Sequence, residues 1–518
     1  MTASQPARAG RPPTNKWLVT VSVTFGTLMG TIDASIVNVA LPHMRGSVGA
    51  TLEEITWVVT GFVIATVIVM PLTAFLGRFF GQKRVYLVSL ALFVAGSMLC
   101  GTARSLAELV AFRALQGLGA GALQPTEQAI LRQTFPPEEQ GMAMALFAMA
   151  VMIGPAVGPT LGGFIVDNYS WPWIFYVNLP VGLLGLFMVS RFVHEPEDVR
   201  QALREQAAAQ RKNLDWQGIA LMCVGLGGLQ FVLEEGQRYD WFESSTIGAT
   251  SLVAAFALAA FAVRELTAPA PAVNLRLFKD KVFLSGTLIG AVMFAMLMAN
   301  MFLLPVFMQT LLGFTALQSG LALMPRVLVM MVFTPVVGRI YNRVSPRLLV
   351  GFGIAAFAVG AWQMSHFTAA TSMRQIISAI MIQGLGFSCL FVPLTTVALT
   401  TIERARLTDA TGLNSLFRQI GGSVGLAVFA TLLVRYSTQA RAGLVPHLSR
   451  TDPRVAERVS GPKGVLALQG LVEQQAAVLS FEKLFLLSGV LFLCVLPLLY
   501  LLRADHPGAG RPAPVAEH

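Results

Sequence analysis

The amino-acid sequence carries one four-residue string twice, as Gln116-Gly117-Leu118-Gly119 and again as Gln383-Gly384-Leu385-Gly386. Further pairs recur in the same order and at nearly the same offset: Gly49 and Gly313, Thr51 and Thr315, Pro71 and Pro335, Gly154 and Gly421, and Gly158 and Gly425. One such match between small residues arises easily by chance in membrane helices. An ordered set at a nearly constant offset indicates an internal duplication, so the sequence predicts two related halves.

The chain around these repeats is strongly apolar. Of its 518 residues, 55% are hydrophobic and only 12% are charged, which is about half the charged fraction of a soluble domain. A membrane-spanning helix needs about 20 apolar residues. The sequence predicts fourteen spans, near 17–41, 55–76, 85–104, 106–132, 140–166, 172–194, 214–234, 246–264, 283–311, 317–341, 347–367, 373–402, 408–434 and 482–503. This composition excludes a soluble enzyme, a nucleic-acid-binding domain and a single-anchor receptor.

The fold class predicted from spans and repeats is an all-α integral membrane protein of two six-helix bundles with two inserted helices. The predicted divisions are a cytoplasmic tail (1–16), an N-terminal bundle (17–194), a linker with the inserted helices (195–282), a C-terminal bundle (283–503) with an external loop (435–481), and a second tail (504–518). The net charge of +10 comes from 37 Lys and Arg against 27 Asp and Glu. Most of these cations fall in segments assigned to the cytoplasm, which places both termini there.

Asp33 is the first candidate functional residue, because it lies inside the first span. An ionised carboxylate near the centre of a bilayer costs about 2.5 to 3.5 kcal/mol. We therefore expect Asp33 to face protein or water. A carboxylate on a transport pathway can exchange a proton for a cationic substrate, although a purely structural ion pair is the alternative.

Other polar side chains interrupt the spans. Arg113, Gln116, Gln124 and Glu127 fall on one face of the fourth span at helical spacing, and Arg113 is expected at the depth of Asp33. The alternative for Glu127 is a solvated acid near the inner mouth. The remaining candidates for proton coupling or substrate binding are Asn38, Asn300, Arg326 and Arg418. Arg326 could compete with a proton or a substrate for Asp33, or form a structural pair.

The fifth span contains a candidate conformational motif. Its glycines permit close helix contact and its prolines remove backbone donors, so the segment is expected to form a bendable, tightly packed seam. The residues concerned are Gly154, Pro155, Gly158, Pro159, Gly162 and Gly163. The chain has no nucleotide-binding P-loop and its four cysteines are isolated. We expect no cofactor and no metal, with an ion gradient as the energy source.

These segments resemble the EmrB/QacA-like, fourteen-span drug:proton antiporter branch of the major facilitator superfamily. The resemblance runs nearly end to end through the strings 33–42, 113–117, 154–163, 173–180, 215–218 and 412–422. It implies a major facilitator fold, outward transport, and roles in proton and drug handling for Asp33 and Arg113.

The chain departs from the superfamily pattern between spans 2 and 3. Ala74 and Arg78 replace the usual glycine and aspartate, so the usual charge relay is not expected in the first half. The duplicate carries Asn342 at the acid position. The predicted cytoplasmic gate consists of Arg78, Gly81, Arg84, Gly338, Asn342 and Arg343. Arg326 replaces a residue that the resemblance implies is small, and is expected to narrow substrate choice.

The function predicted from these features is proton-coupled export of amphipathic, often cationic, drugs across a bacterial inner membrane by alternating access. One alternative is a dedicated exporter of an endogenous metabolite or siderophore, and another is a non-transporting membrane sensor. Expected partners are a small-molecule substrate, protons and membrane lipid. The resemblance also suggests a periplasmic adaptor and an outer-membrane channel, whereas nucleic acid and enzymatic activity are not expected.

Overall fold

The computed structural model describes residues 15–195, 200–201, 215–268, 271–448 and 462–502. This part of the chain is helical and contains no strand, and fourteen of its helices are long and apolar enough to cross a membrane. The long helices are α1 (Lys16–Val48), α2 (Trp57–Phe80), α3 (Gln82–Thr102), α4 (Leu106–Thr134), α5 (Gln140–Asn168), α6 (Asn178–Phe192), α7 (Trp216–Glu235), α8 (Ser245–Thr267), α9 (Lys281–Thr310), α10 (Ala316–Ile340), α11 (Pro346–Met364), α12 (Met373–Val397), α13 (Leu407–Leu444) and α14 (Pro462–Leu493). The prediction of an all-α membrane protein with fourteen spans is confirmed.

The repeated glycine and threonine pairs form the same turn in both halves. Gly49 ends α1 with φ 66°, and Gly313 follows α9 with φ 68°, a region of backbone conformation that glycine enters without steric cost. Two residues later, Thr51 and Thr315 each cap the next helix in a capping box with the residue three positions on. The duplication seen in the sequence is therefore also a duplication of local structure.

The repeated glycines also pack equivalent helices together. Gly154 in α5 lies against Thr31 of α1, and Gly421 in α13 lies against Ala291 of α9. In the first half the contact is reinforced by the Thr31 hydroxyl, which donates to the Ala150 carbonyl at 3.2 Å. The glycine seam thus joins two helices within one bundle, and its predicted role in bending stays a prediction.

Gly154→Ala is expected to destabilise the protein by about 1 to 3 kcal/mol, the usual cost of overpacking a tight contact. A methyl group at this position would collide with both the backbone and the side chain of Thr31. Gly163→Ala in the same helix is the matched control, because no atom lies within 4 Å of the added methyl group. Thermal unfolding of the two purified variants measures the difference, and equal melting temperatures would contradict the packing argument.

The inserted pair, α7 and α8, touches both halves of the protein. On the N-terminal side the Thr60 hydroxyl of α2 donates to the Glu235 carboxylate at 2.9 Å. On the C-terminal side the Gln230 amide donates to the Ser423 hydroxyl of α13 at 2.7 Å. Helix α7 therefore packs along the line where the two bundles meet, and α8 packs against α7.

The prediction of an external loop at 435–481 is wrong over most of that range. Helix α13 continues to Leu444 and α14 begins at Pro462, so residues 435–444 and 462–481 are helical. Likewise, the last span was predicted at 482–503, but α14 starts earlier and ends at Leu493. Charged residues ended the apolar runs in the sequence, yet Arg, Glu, Gln and Ala are good helix formers and extend a helix regardless of hydropathy. Residues 449–461, 1–14 and 503–518 lie outside the described part, and with them most of both predicted tails.

Candidate transport site

Asp33 and Arg113 form a buried ion pair between α1 and α4. The Asp33 Oδ2 atom lies 2.5 Å from Arg113 Nη1, and neither side chain is more than 1% exposed. The Arg113 guanidinium also lies over the Phe62 ring, 4.1 Å from its centroid, and its Nε donates to the Val58 carbonyl at 3.1 Å. The structure thus brings together the two residues that were expected to lie at the same depth.

Two amide side chains complete the coordination of Asp33. Gln116 Nε2 and Asn178 Nδ2 each donate to Asp33 Oδ1 at 2.9 Å. Asn178 also donates to the Ser97 hydroxyl at 3.0 Å, and Ser97 lies on α3. The carboxylate therefore accepts three donors from the N-terminal bundle, and this network satisfies it without substrate. Buried charges held in this way are strongly fixed.

Glu127 is a different kind of buried acid. Its side chain is fully buried, and its Oε1 accepts a hydrogen bond from the Thr24 hydroxyl at 3.0 Å. Its Oε2 has no hydrogen-bond partner, and Glu127 joins none of the ion pairs formed by the described residues. The alternative of a solvated acid at the inner mouth is therefore wrong. Gln124 is half-buried, and Asn38 is exposed and donates to the Ala34 carbonyl of its own helix.

The candidate residues of the second half do not reach Asp33. Arg326 Nη2 donates to Gln383 Oε1 at 2.7 Å, so the proposed competition for Asp33 is not what this conformation shows. Asn300 donates to the Met296 carbonyl of its own helix. Arg418 is buried among aromatic rings. Arg326 and Asn300 bond within the C-terminal bundle, where Gln383 is the repeat of Gln116, whereas Arg418 also lies against Phe147 of the N-terminal bundle.

At one end of the molecule the two bundles hold each other through Arg78. Its Nη1 lies 3.1 Å from Asp409 Oδ1 in the first turn of α13, and its Nη2 donates to the Ala272 carbonyl at 2.9 Å. Beside it, Gln82 donates to the Thr408 hydroxyl at 2.7 Å. Both members of the ion pair are at least 90% buried. We name this end the gate end; it is the end predicted to be cytoplasmic.

The other predicted gate residues divide between the bundle contact and the surface. Gly338 packs against Gly141 of the N-terminal bundle, and the Asn342 amide donates to the Glu138 carbonyl. Gly81 instead has φ 85° at the start of α3. Arg84 and Arg343 are exposed. The gate end is thus closed by contacts from both repeats.

Residues 23–426 match the sequence description of the Major Facilitator Superfamily. The chain belongs to this superfamily. Its described part also contains fourteen helices that are long and apolar enough to cross a membrane. The protein is therefore a multi-pass membrane protein. It is similar to the fatty acid resistance protein FarB of Neisseria gonorrhoeae, with 33% identity over 95% of this chain and 97% of that protein. It is also similar to the multidrug export protein EmrB of Escherichia coli strain K12, with 32% identity over 95% and 96% of the two chains.

Solved structures of the superfamily show the same fold. The proton:xylose symporter XylE superposes with a TM-score of 0.60 at 14% identity, covering 92% of this chain and 95% of that one. The human organic anion transporter MFSD10 gives a TM-score of 0.59 at 16% identity, covering 93% and 100%. At such identities the likeness establishes the major facilitator fold and nothing about substrate. The predicted fold class is confirmed.

Three polar residues at the contacts described above were not among the predicted site residues. Asn178 and Ser97 belong to the Asp33 network, and Asp409 to the gate end. The available signal for Asn178 and Asp409 was a single polar residue at the edge of an apolar run, which also fits an ordinary helix terminus. Only the Asp33 partners on α4 carried a stronger signal, because a polar stripe on an apolar helix is rare.

Proposed function

We propose that this transporter exports amphipathic drugs or other toxic organic compounds across a bacterial inner membrane, driven by inward proton movement, with both termini in the cytoplasm. The observation that carries the proposal is the similarity, over 95% of the chain, to proteins named for multidrug export and for fatty acid resistance. A relative in Acinetobacter baumannii, 27% identical over 84% of the chain, is named for colistin resistance. The proposed role is therefore transport rather than catalysis, without a cofactor.

The arrangement of the gate end supports alternating access as the mechanism. The N-terminal and C-terminal bundles meet there through Arg78–Asp409 and through Gly338 on Gly141. Opening this end requires these contacts to separate, since a buried ion pair cannot stretch gradually without losing its hydrogen bonds. Cycling between the closed and open states against a substrate gradient needs an energy source, and the proton gradient is the one proposed.

Glu127 is the proposed proton carrier, and Asp33 with Arg113 is the proposed fixed part of the site. A buried carboxylate without a cation is costly in free energy, and taking up a proton removes that cost. Glu127 accepts a hydrogen bond from the Thr24 hydroxyl and joins none of the ion pairs formed by the described residues, so protonating it breaks no charge pair. Asp33, by contrast, would have to give up two amide donors and its pairing with Arg113.

Two other readings remain open as proposals. A dedicated exporter of an endogenous metabolite or siderophore would use the same machinery with a narrower substrate range. A non-transporting sensor would bind ligand without moving protons. A periplasmic adaptor and an outer-membrane channel are proposed partners through the likeness to EmrB, and membrane lipid surrounds the spans.

Glu127→Gln is expected to abolish proton-coupled transport while downhill substrate movement persists. The variant keeps the size and hydrogen bonding of the side chain but cannot release a proton. In proteoliposomes with an imposed pH gradient, substrate-driven proton movement should fall by about a hundredfold or more, the usual effect of losing a proton-transfer group. Glu473→Gln is the control, because Glu473 is an exposed carboxylate on α14.

The possible outcomes test the role of Glu127 and distinguish the three proposed functions. Normal coupling in Glu127→Gln would contradict its role as carrier. Coupled movement of one compound class out of a broad panel would favour the dedicated exporter. Substrate binding by the wild-type protein without any proton or substrate flux would favour the sensor.

A further inference from the structure

Arg418 is a buried cation at the contact between the two bundles. Only 3% of its surface is exposed, and it takes part in none of the ion pairs among the residues that the structure describes. Its Nη2 donates to the Ser415 hydroxyl of the same helix at 3.1 Å. Its Nη1 is buried and has no hydrogen-bond partner. The side chain thus keeps both a charge and a donor uncompensated.

Three phenylalanine rings surround the Arg418 guanidinium. The centroid of Phe147, from the N-terminal bundle, lies 5.6 Å from its central carbon, and those of Phe294 and Phe391, from the C-terminal bundle, lie at 5.5 Å. Such contacts attract a cation but are weaker than a counter-ion at hydrogen-bonding distance. These three rings, which we call the aromatic box, hold the guanidinium in place without neutralising its charge.

None of the buried acids discussed above is the counter-ion of Arg418. Asp33 is paired with Arg113, Asp409 is paired with Arg78, and Glu127 forms no ion pair with Arg418. Arg326, also in the C-terminal bundle, is 4% exposed and keeps its Nε and Nη1 without partners, so it adds to the positive potential on that side. A buried unpaired charge is costly, and binding an anion offsets that cost. The charge balance of this region thus favours an anionic ligand over a cationic one.

We propose that Arg418 binds the carboxylate of a singly charged, amphipathic substrate, with Nη1 as the donor and the three phenylalanine rings against the apolar part. This inference rests on the proposed export function and specifies its substrate class. It replaces the expectation of often cationic substrates, in which Asp33 exchanges a proton for the substrate. The box draws on both bundles, so a ligand held there contacts the two halves that move against each other.

The test compares three amphiphiles with the same twelve-carbon chain: dodecanoate, dodecan-1-ol and dodecylamine. Binding is measured for the full-length protein in lipid nanodiscs, by thermal stabilisation at increasing ligand concentration. A hydrogen bond to a charged partner predicts that the wild type binds dodecanoate at least about tenfold more tightly than the alcohol. Partition into lipid is the same for every variant, so the differences between variants report on the protein.

Arg418→Gln should remove this preference, leaving carboxylate and alcohol within about twofold of each other, and should raise the melting temperature without ligand because an unpaired buried charge is gone. Arg418→Lys keeps the positive charge but loses the planar guanidinium group, so it should retain part of the preference for the carboxylate over the alcohol. This second variant keeps the inference testable if Arg418→Gln does not fold. Arg374→Gln is the matched control, because it removes the same charge from an exposed site on α12. It should behave as the wild type.

Equal binding of the three amphiphiles by the wild type would overturn the inference, as would a carboxylate preference that survives in Arg418→Gln. A parallel flux measurement in proteoliposomes separates this inference from the proposed function. Export without charge preference would overturn the inference alone. Carboxylate-selective binding without export of any of the three compounds would keep the site and count against the exporter.

Discussion

Asp33→Asn should abolish transport and lower the melting temperature of the purified protein. The substitution removes the charge opposite Arg113 and places an amide donor where Oδ2 now accepts from Nη1 at 2.5 Å. Removing one partner of a buried pair typically costs about 3 to 5 kcal/mol, because the remaining charge is left without compensation. Efflux in whole cells and thermal unfolding in detergent measure the two effects.

A double variant separates the structural role of this pair from its role in transport. Asp33→Asn combined with Arg113→Gln removes both charges, and should recover most of the lost stability while efflux stays absent. The stability part follows because no uncompensated charge remains inside the bundle. Normal efflux by Asp33→Asn would exclude Asp33 from the site, and recovery of efflux in the double variant would reduce the pair to a structural one.

The features that could be predicted from the sequence are those for which a sequence pattern has a single physical explanation. Asp33 and Arg113 stood out because charges inside apolar spans must be paired or functional. The repeats at Gly49, Gly154 and Gly313 stood out because only glycine allows the turn or the close contact found there.

The rest depended on contacts between distant parts of the chain. Asp409 stands in the first turn of a helix, where an acid is expected simply to favour the helix dipole, and nothing in the sequence links it to Arg78. Arg78 in place of the usual aspartate indicated that the usual charge relay is absent from the first half, but the sequence did not show that Asp409 of the other bundle supplies the opposite charge. The helical extension of α13 beyond the predicted span was missed because hydropathy indicates which residues are apolar enough to lie in the membrane, and does not indicate where the helix ends.

Arg78→Ala should open the gate end and reduce transport. The variant leaves Asp409 buried without its cation and removes the donor to the Ala272 carbonyl. A loss of about 3 to 5 kcal/mol from the closed form corresponds to a population shift of more than about a hundredfold toward the open one. Spin labels on the exposed residues Phe80 and Arg404, which lie on different bundles at this end, report the distance between the bundles.

The double variant Arg78→Asp with Asp409→Arg tests whether the ion pair itself closes the gate end. It keeps one cation and one anion in contact but exchanges their positions. It should bring back the short label distance and part of the transport rate. Glu403→Ala at the same end breaks only the exposed pair with Arg406, whose 3.5 Å separation in solvent contributes little, and should change neither readout. If Arg78→Ala kept the short distance, or if the exchanged pair behaved like the single variant, closure would depend on the packing of Gly338 on Gly141 and not on the ion pair. In that case the reversed charge at position 78 would be a tolerated substitution, and the cross-bundle contact would have no role in alternating access.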